Sequence, residues 1–233
     1  TIESGEVREN VMCNYPNERL FIDFFTDDML KELGVVSIKD LNFEKGSFRI
    51  LTPINNLECY NEIDIRNPIN FELKNNLPIG GVGNISFSSI SEVEGRGPKG
   101  TSPFKGSGFD AGHILGRQLF KGTNFNTSKK NKNNIYKQTK WSNRGNHNTA
   151  VHGHNQTYFE NFIIYQIIEK TPDAIVKYRA DLIYCDSEEI IPRGIHIRSS
   201  CKQNKLLDFN VFVPNVEVEG LIDYKSDKWI IVN

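Results

Sequence analysis

Three strand-like stretches follow one another in the last third of the chain, and a hairpin closes it. Ala174–Cys185, Glu189–Arg198 and Leu206–Pro214 read as strands. Glu217–Tyr224 and Trp229–Val232, joined by a turn at Lys225-Ser226-Asp227, read as the hairpin. Ahead of them, His154–Lys170 has helical periodicity, with Tyr158, Phe159, Phe162, Ile163 and Tyr165 to Ile168 on a broad apolar face. Strands gathered after a helix, and not alternating with helices, predict an α+β fold with a mainly antiparallel central sheet and flanking helices.

The earlier chain is less regular. Residues 1 to about 75 are acidic and mixed in pattern; Phe21–Leu33 reads as a short helix, Ser47–Leu51 and Cys59–Ile65 as strands. Pro78–Gly83 is a Pro/Gly-rich connection and the candidate boundary. It divides an N-terminal region, 1–78, of unassigned role and open to integration into the fold, from a domain spanning 79–233. Asn84–Val93 reads as a strand, Glu94–Gly108 as a loop, Phe109–Gly112 as a short strand, and Lys121–Asn134 as an exposed polar loop. A length of 233 residues supports a core that needs no staples. Cys13, Cys59, Cys185 and Cys201 are scattered with no Cys-x-x-Cys pair, which argues against a zinc ribbon or redox dithiol and leaves disulfides open. No apolar run approaches the roughly 20 residues that span a bilayer. No secretory signal is visible at Thr1, and a chain starting there is expected to be a mature or excised form.

Net charge is −1, but its distribution is uneven. Between Gly95 and Gly145 there are eleven lysines and arginines against one acid, Asp110, so this window carries +10 and the remainder −11. A strongly basic segment in a nearly neutral chain points to a polyanionic partner there.

The basic window contains GFDAGHILGRQLF, Gly108 to Phe120. Gly112 permits a close turn of backbone just before His113. An imidazole with a pKa near 6.5 accepts a proton from water at neutral pH, which suits a general base. Phosphodiester cleavage also needs its developing negative charge stabilised, and a hard divalent cation with oxygen ligands does this. Asn134, Asn143 and Glu160 are the candidate oxygen donors to meet His113. Gln156 and Glu160, four apart, share a helix face. His147, His152 and His154 read as a polar loop and not as a zinc site, because no cysteine lies close in sequence. His196 alternates within a strand without an evident partner.

The ordered set Asp110-Ala111-Gly112-His113, Ile114-Leu115-Gly116, Asn134-Ile135, Gln138-Thr139, Trp141, Asn143 and HNQTYFE ending at Glu160 resembles a known family. It is similar to the DNA/RNA non-specific endonucleases of the ββα-metal, or His-Me finger, class, and most nearly to the extracellular DNases of Gram-positive bacteria. Those enzymes carry Asp-Arg-Gly-His, then Leu-Leu-Gly, a loop, Asn-Ile, Gln-Thr, Trp, Asn and a Gly-Gln-Asn-Tyr-Tyr-Glu helix start. FNVFVPNVEVEGLIDY, Phe209 to Tyr224, also resembles their C-terminal strands, and the likeness covers roughly residues 84 to 233.

The resemblance implies a secreted, Mg²⁺-dependent endonuclease, with Mn²⁺ as the alternative ion. Its product would carry a 5′-phosphate and a 3′-hydroxyl. His113 would be the general base, Asn143 the direct Mg²⁺ ligand, and Glu160 the residue that holds or orients the metal's waters. Asn134 would bond within the site and fix His113 or the phosphate. Gln138 would lie beside the substrate strand, with Gln156, Lys121, Arg117 and Arg144 as further substrate contacts. Ala111 departs from the pattern, which has an arginine there; Arg117 and Arg144 are the cations placed to compensate. The partner is DNA, with RNA left open. Two rival readings remain: the toxic nuclease domain of a secreted antibacterial protein with an immunity or inhibitor partner, and a non-catalytic nucleic-acid-binding domain.

Overall fold

The computed structural model of the chain describes residues 14–52, 67–92, 100–145 and 149–232, the last segment without the side chains of 149 and 150. Its helices are α1 (Asp27–Glu32), α2 (Phe87–Ile90), α3 (Arg117–Phe120), α4 (Lys140–Asn143), α5 (Thr149–His152) and α6 (Gln156–Tyr165). Its strands are β1 (Leu41–Glu44), β2 (Ser47–Ile50), β3 (Ile69–Asn70), β4 (Gly80–Ile85), β5 (Asp110–His113), β6 (Ile135–Gln138), β7 (Val176–Ile183), β8 (Gly194–Cys201), β9 (Phe209–Pro214), β10 (Leu221–Ile222) and β11 (Ile231–Val232). Seven of them form one sheet in the order β1-β2-β9-β8-β7-β4-β3, with every neighbouring pair antiparallel. The fold is α+β with a mainly antiparallel central sheet.

The two faces of this sheet carry different layers. Tyr178 of β7 is fully buried, 6.2 Å from the Phe120 ring of α3, so its face supports the segment that holds His113. Phe212 of β9 belongs to the other face and packs 5.6 Å from Phe25 and 6.4 Å from Phe24. Phe21, Phe43 and Phe48 continue that aromatic cluster. Residues on both sides of position 78 share the sheet, because β2 pairs with β9 and β3 with β4.

Several expected elements differ. Pro78–Gly83 is not a free connection: Gly80 onward is β4, six residues paired with β7. Its glycines serve close approach. A Cβ at Gly81 would stand 2.9 Å from Leu115, and one at Gly83 would stand 2.8 Å from the Phe120 ring. The strand expected over Asn84–Val93 ends at Ile85, because Ser86 and Ser89 cap each other's backbone and start α2. The helix expected over Phe21–Leu33 is a 3₁₀ turn, Glu18–Phe21, and then α1, which restarts where the Thr26 hydroxyl accepts the Met29 N–H at 3.2 Å. The later helix begins at Gln156, capped by Asn155, and its last turn, Gln166–Lys170, widens to π geometry. Cys59–Ile65 lies outside the described residues. Cys185 and Cys201 are free thiols; Cys13 and Cys59 also lie outside. No helix among the described residues is long and apolar enough to cross a membrane.

Candidate active site

The site is built on β5, β6 and α6. β5 pairs with β6 in the register Asp110↔Gln138 to His113↔Ile135, which leaves His113 at the strand end. Asn134, fully buried, locks the backbone just beyond it. Its Oδ1 accepts the Leu115 N–H at 2.9 Å, and its Nδ2 donates to the Leu115 carbonyl at 3.0 Å. Asn70 donates to the same Oδ1 at 2.9 Å. From α6, Gln156 donates to the His113 carbonyl at 2.6 Å.

The imidazole is held by the basic loop. Nε2 of His113 lies 3.0 Å from the Thr127 carbonyl. A carbonyl only accepts, so Nε2 carries the proton and Nδ1 is left as the basic nitrogen. Burial lowers the His113 pKa from 6.5; the Thr127 bond opposes the shift, and Lys129 and Arg117 add to it. The ring is therefore neutral at neutral pH.

His113 lines a cavity of about 640 Å³ together with Asp110, Asn143, Glu160, Arg117 and Arg144. Glu160 is buried, and burial raises its carboxyl to about 7 against opposing hydrogen bonds from Gln118 and Gln156. Gln118 donates to it at 3.2 Å. Asn143 donates Nδ2 to Asp110 at 2.9 Å, which orients the amide and leaves Oδ1 as its acceptor side. The same Asp110 oxygen accepts Nε of Arg144 at 2.9 Å. The cavity thus offers an amide oxygen, a carboxylate short of countercharge and an imidazole. That donor set fits a hard divalent cation better than a thiophilic one.

Of the residues expected from sequence, His113, Asn143, Glu160, Arg117, Arg144 and Lys121 line this one cavity. Lys121 also faces Glu92 at 3.8 Å, and Arg117 donates to the Thr127 hydroxyl at 3.4 Å. Two expectations need correction. Gln138 and Gln156 are 0% and 1% exposed, so neither can lie against a substrate strand. Gln138 instead donates to Ser142 at 3.0 Å and Gln156 at 2.9 Å, supporting α4 and α6 from beneath. Asn134 bonds to both backbone groups of Leu115, just beyond His113. Asp110, Gln118 and Thr127 are the site residues missing from the expected set. Asp110 stood in the same motif as His113, whereas Thr127 had no signal, since its carbonyl does the work. His152 is buried with its carbonyl accepting from Trp141, His154 stacks on Tyr158 at 4.0 Å, and His147 lies outside the described residues.

No known protein-family profile matches the sequence. Solved structures do match. Two structures of NucA from Streptococcus agalactiae, one with a magnesium ion bound and one with no metal, align with TM-scores of 0.67 and 0.68. Identity is 18%, over 88% of this chain and 95% of NucA. This chain shares the fold of NucA. The Sda1 nuclease with bound zinc gives 0.55 at 18% identity, over 72% of this chain and 83% of Sda1. An extracellular endonuclease gives 0.50 at 16% identity, over 70% and 85%. The NucA coverage is larger than residues 79–233 can supply, so the shared architecture reaches into the first 78 residues.

The cavity has a narrow tolerance where α6 meets the turn into α3. A Cβ at Gly116 would run into the Glu160 carboxylate. Gly116→Ala is expected to push that carboxylate aside, so if Glu160 serves a bound ion, Mn²⁺ affinity falls by about tenfold, the scale of disturbing a ligand's support. Calorimetric titration with Mn²⁺ checks this; unchanged affinity would mean that Glu160 takes no part in holding an ion.

Proposed function

We propose that the protein is a divalent-metal-dependent endonuclease that hydrolyses DNA with little sequence preference. The observation that carries this reading is a neutral, carbonyl-anchored histidine sharing one cavity with an oriented Asn143 and a charge-starved Glu160, amid cations. β5, β6 and α6 correspond to the ββα-metal arrangement, and the NucA-like fold supports the assignment. A magnesium ion in one NucA structure and zinc in Sda1 support a divalent ion, for which Mg²⁺ or Mn²⁺ suits these oxygen donors. An extracellular setting accords with the likeness to an extracellular endonuclease.

In this reading His113 takes a proton from water at Nδ1, and the resulting hydroxide attacks phosphorus in line with the leaving 3′-oxygen. Thr127 keeps the imidazole in the tautomer that makes Nδ1 the acceptor. Arg117, Arg144 and Lys121 hold phosphate oxygens, a role Lys105 and Lys129 share at the cavity wall. Asn143 would hold the metal, with Glu160 holding or orienting its waters, and an ion bound there would supply charge stabilisation for the phosphoryl transfer. The product keeps a 5′-phosphate. Because the cavity's cations meet phosphates, which carry no sequence information, low specificity follows.

Digestion of plasmid and of total RNA in Mg²⁺ against EDTA tests the class. Metal-dependent cutting of DNA is expected, and the RNA lane sets the substrate range; tight DNA binding without cutting in either condition would overturn the reading.

Glu160 adds a pH signature. A carboxyl raised from 4.5 to about 7 in the metal-free protein favours its neutral form. A metal binds the ionised form, so Mn²⁺ affinity is expected to fall about tenfold per pH unit below 7 and to level off above it. The metal-free protein shows the reverse trend in stability. Its Glu160 binds protons more tightly folded than unfolded, so that contribution is present below 4.5 and is lost as pH rises through 7. Glu160→Gln should flatten both profiles, and calorimetric Mn²⁺ titrations from pH 5.5 to 8 with metal-free melting curves read them out.

A further inference from the structure

A layer of buried polar side chains joins β6 to the start of α6. Gln156, the first residue of α6, and Gln138 and Tyr136 of β6 are all buried, and none of the three lines the catalytic cavity. Burying amides costs stability unless their donors and acceptors are used, so the way these groups are spent is informative.

Gln156 is the hub. Its Oε1 accepts the Tyr136 hydroxyl and Nε2 of Gln138, both at 2.9 Å. Two donors fill the two lone pairs of an amide oxygen. Nε2 of Gln156 is thereby turned the other way, where it donates to the His113 carbonyl at 2.6 Å and to the Glu160 carboxylate. Turning the amide over would set its oxygen against the His113 carbonyl, which only accepts, so one orientation is allowed. Burial pushes the Tyr136 hydroxyl well above its ordinary pKa, so it stays a donor.

The neighbouring amide gives up a bond to serve this arrangement. Nε2 of Gln138 donates to Ser142 at 3.0 Å as well as to Gln156, while its Oε1 is buried with no hydrogen-bond partner among the described residues. Turning Gln138 over would face its oxygen to Oε1 of Gln156, two acceptors together. The fold keeps the donor on Gln156 and leaves an acceptor unpaired, a cost that points to a role beyond packing. Gly112 belongs to the same device: a Cβ there would run into the Gln138 side chain, so the glycine before His113 makes room for this amide. One residue along α6, Thr157 donates to the Asn143 carbonyl at 2.6 Å. The first turn of α6 thus touches the backbone of His113 and of Asn143 and the side chain of Glu160.

We propose that Gln156, oriented by the Tyr136 hydroxyl and by Gln138, is a positioning residue that fixes His113 relative to Glu160. The roles of those two groups rest on the nuclease reading. Tyr136 acts only through the Gln156 amide. Both residues are out of reach of the substrate, so they set kcat and leave the KM for DNA unchanged.

Tyr136→Phe keeps the ring and removes the donor. Its kcat for plasmid cleavage in Mg²⁺ is expected to fall about three- to tenfold, the scale of one hydrogen bond, with KM within about twofold of wild type. Gln156→Met removes the hub and should cost about 10–100-fold in kcat. Adding Tyr136→Phe to Gln156→Met should then cost less than about twofold more, because the hydroxyl has lost the group it acts through. A tyrosine that only stabilises the fold would give multiplied losses in the double variant. The His113 ring signals, followed by NMR of nitrogen-labelled protein in EDTA, give a readout without metal or substrate, and both single variants should shift them. If Gln156→Met folds poorly, Tyr136→Phe carries the test through its kcat and those signals. Wild-type kcat in Tyr136→Phe, a loss confined to KM, or multiplied losses in the double variant would overturn the proposal. A wild type that does not cut DNA would end the nuclease reading instead, and the ring signals would then decide: shifted in both variants they keep the positioning role, unmoved they overturn it.

Discussion

His113→Ala is expected to lower DNA cleavage by about 10²–10⁴-fold, the contribution of a positioned general base, with a melting temperature within about 2–4 °C of wild type. The two scales differ because the ring does two unequal jobs. Its structural bond is one hydrogen bond to the Thr127 carbonyl, worth roughly 1 kcal/mol. The strand end itself is held by Asn134 and Gln156 through backbone groups, which the substitution leaves in place. The void left by the imidazole is also roomy enough for free imidazole, so added imidazole should restore part of the rate in His113→Ala and none in a variant that lacks a metal ligand. Lowered folded-state basicity has a further consequence. Because burial holds His113 below its ordinary 6.5, a rate loss setting in near pH 7 at limiting metal belongs to Glu160. A loss of less than about tenfold on His113→Ala would move the base elsewhere in the cavity.

The sheet and the residues that line the candidate site were legible in the sequence for different reasons. Strands β7, β8 and β9 are apolar runs that follow one another, β7 burying alternate residues and β8 and β9 nearly all of theirs, so the apolar pattern found them to within about five positions. β4 was hidden because three of its six residues are glycines, which read as loop punctuation. In the fold Gly81 and Gly83 are the surface on which Leu115 and Phe120 rest, a requirement set by residues more than thirty positions away. His113, Asn143 and Glu160 were singled out together because they stand in the ordered motifs that carry the family resemblance, and they do line one cavity. Gln138 and Gln156 were placed on the substrate by the family resemblance and not by any pattern of exposure. Their burial follows from a Gln–Gln–Ser network that spans β6, α6 and α4, and no spacing in the chain announces it. Thr127 could not be found at all, since its contribution is a backbone carbonyl.

Asp110→Ala is expected to weaken Mn²⁺ binding by about 10–100-fold, the cost of removing a group that orients a metal ligand. One carboxylate oxygen accepts both Nδ2 of Asn143 and Nε of Arg144, each at 2.9 Å. Without it the Asn143 amide is free to turn, and Oδ1 and Nδ2 compete for the direction of the ion. Arg144 loses this contact in the same step, so the KM for DNA should rise as well. Stability should hardly move: the Asp110–Arg144 pair has side chains 23% and 39% exposed, and ion pairs that open to water contribute at most about 1 kcal/mol. Asp110→Asn separates the two effects. Its side-chain oxygen still accepts from Asn143, but it has no charge to set against the guanidinium, so metal affinity should recover more than the KM does. Calorimetry with Mn²⁺ reads the first quantity and steady-state cleavage of plasmid the second. If Asp110→Ala binds Mn²⁺ as wild type does, then Asn143→Ala decides what remains. A loss there would mean that Asn143 ligates without needing Asp110, and no loss would leave Glu160 to hold the ion with groups other than Asn143.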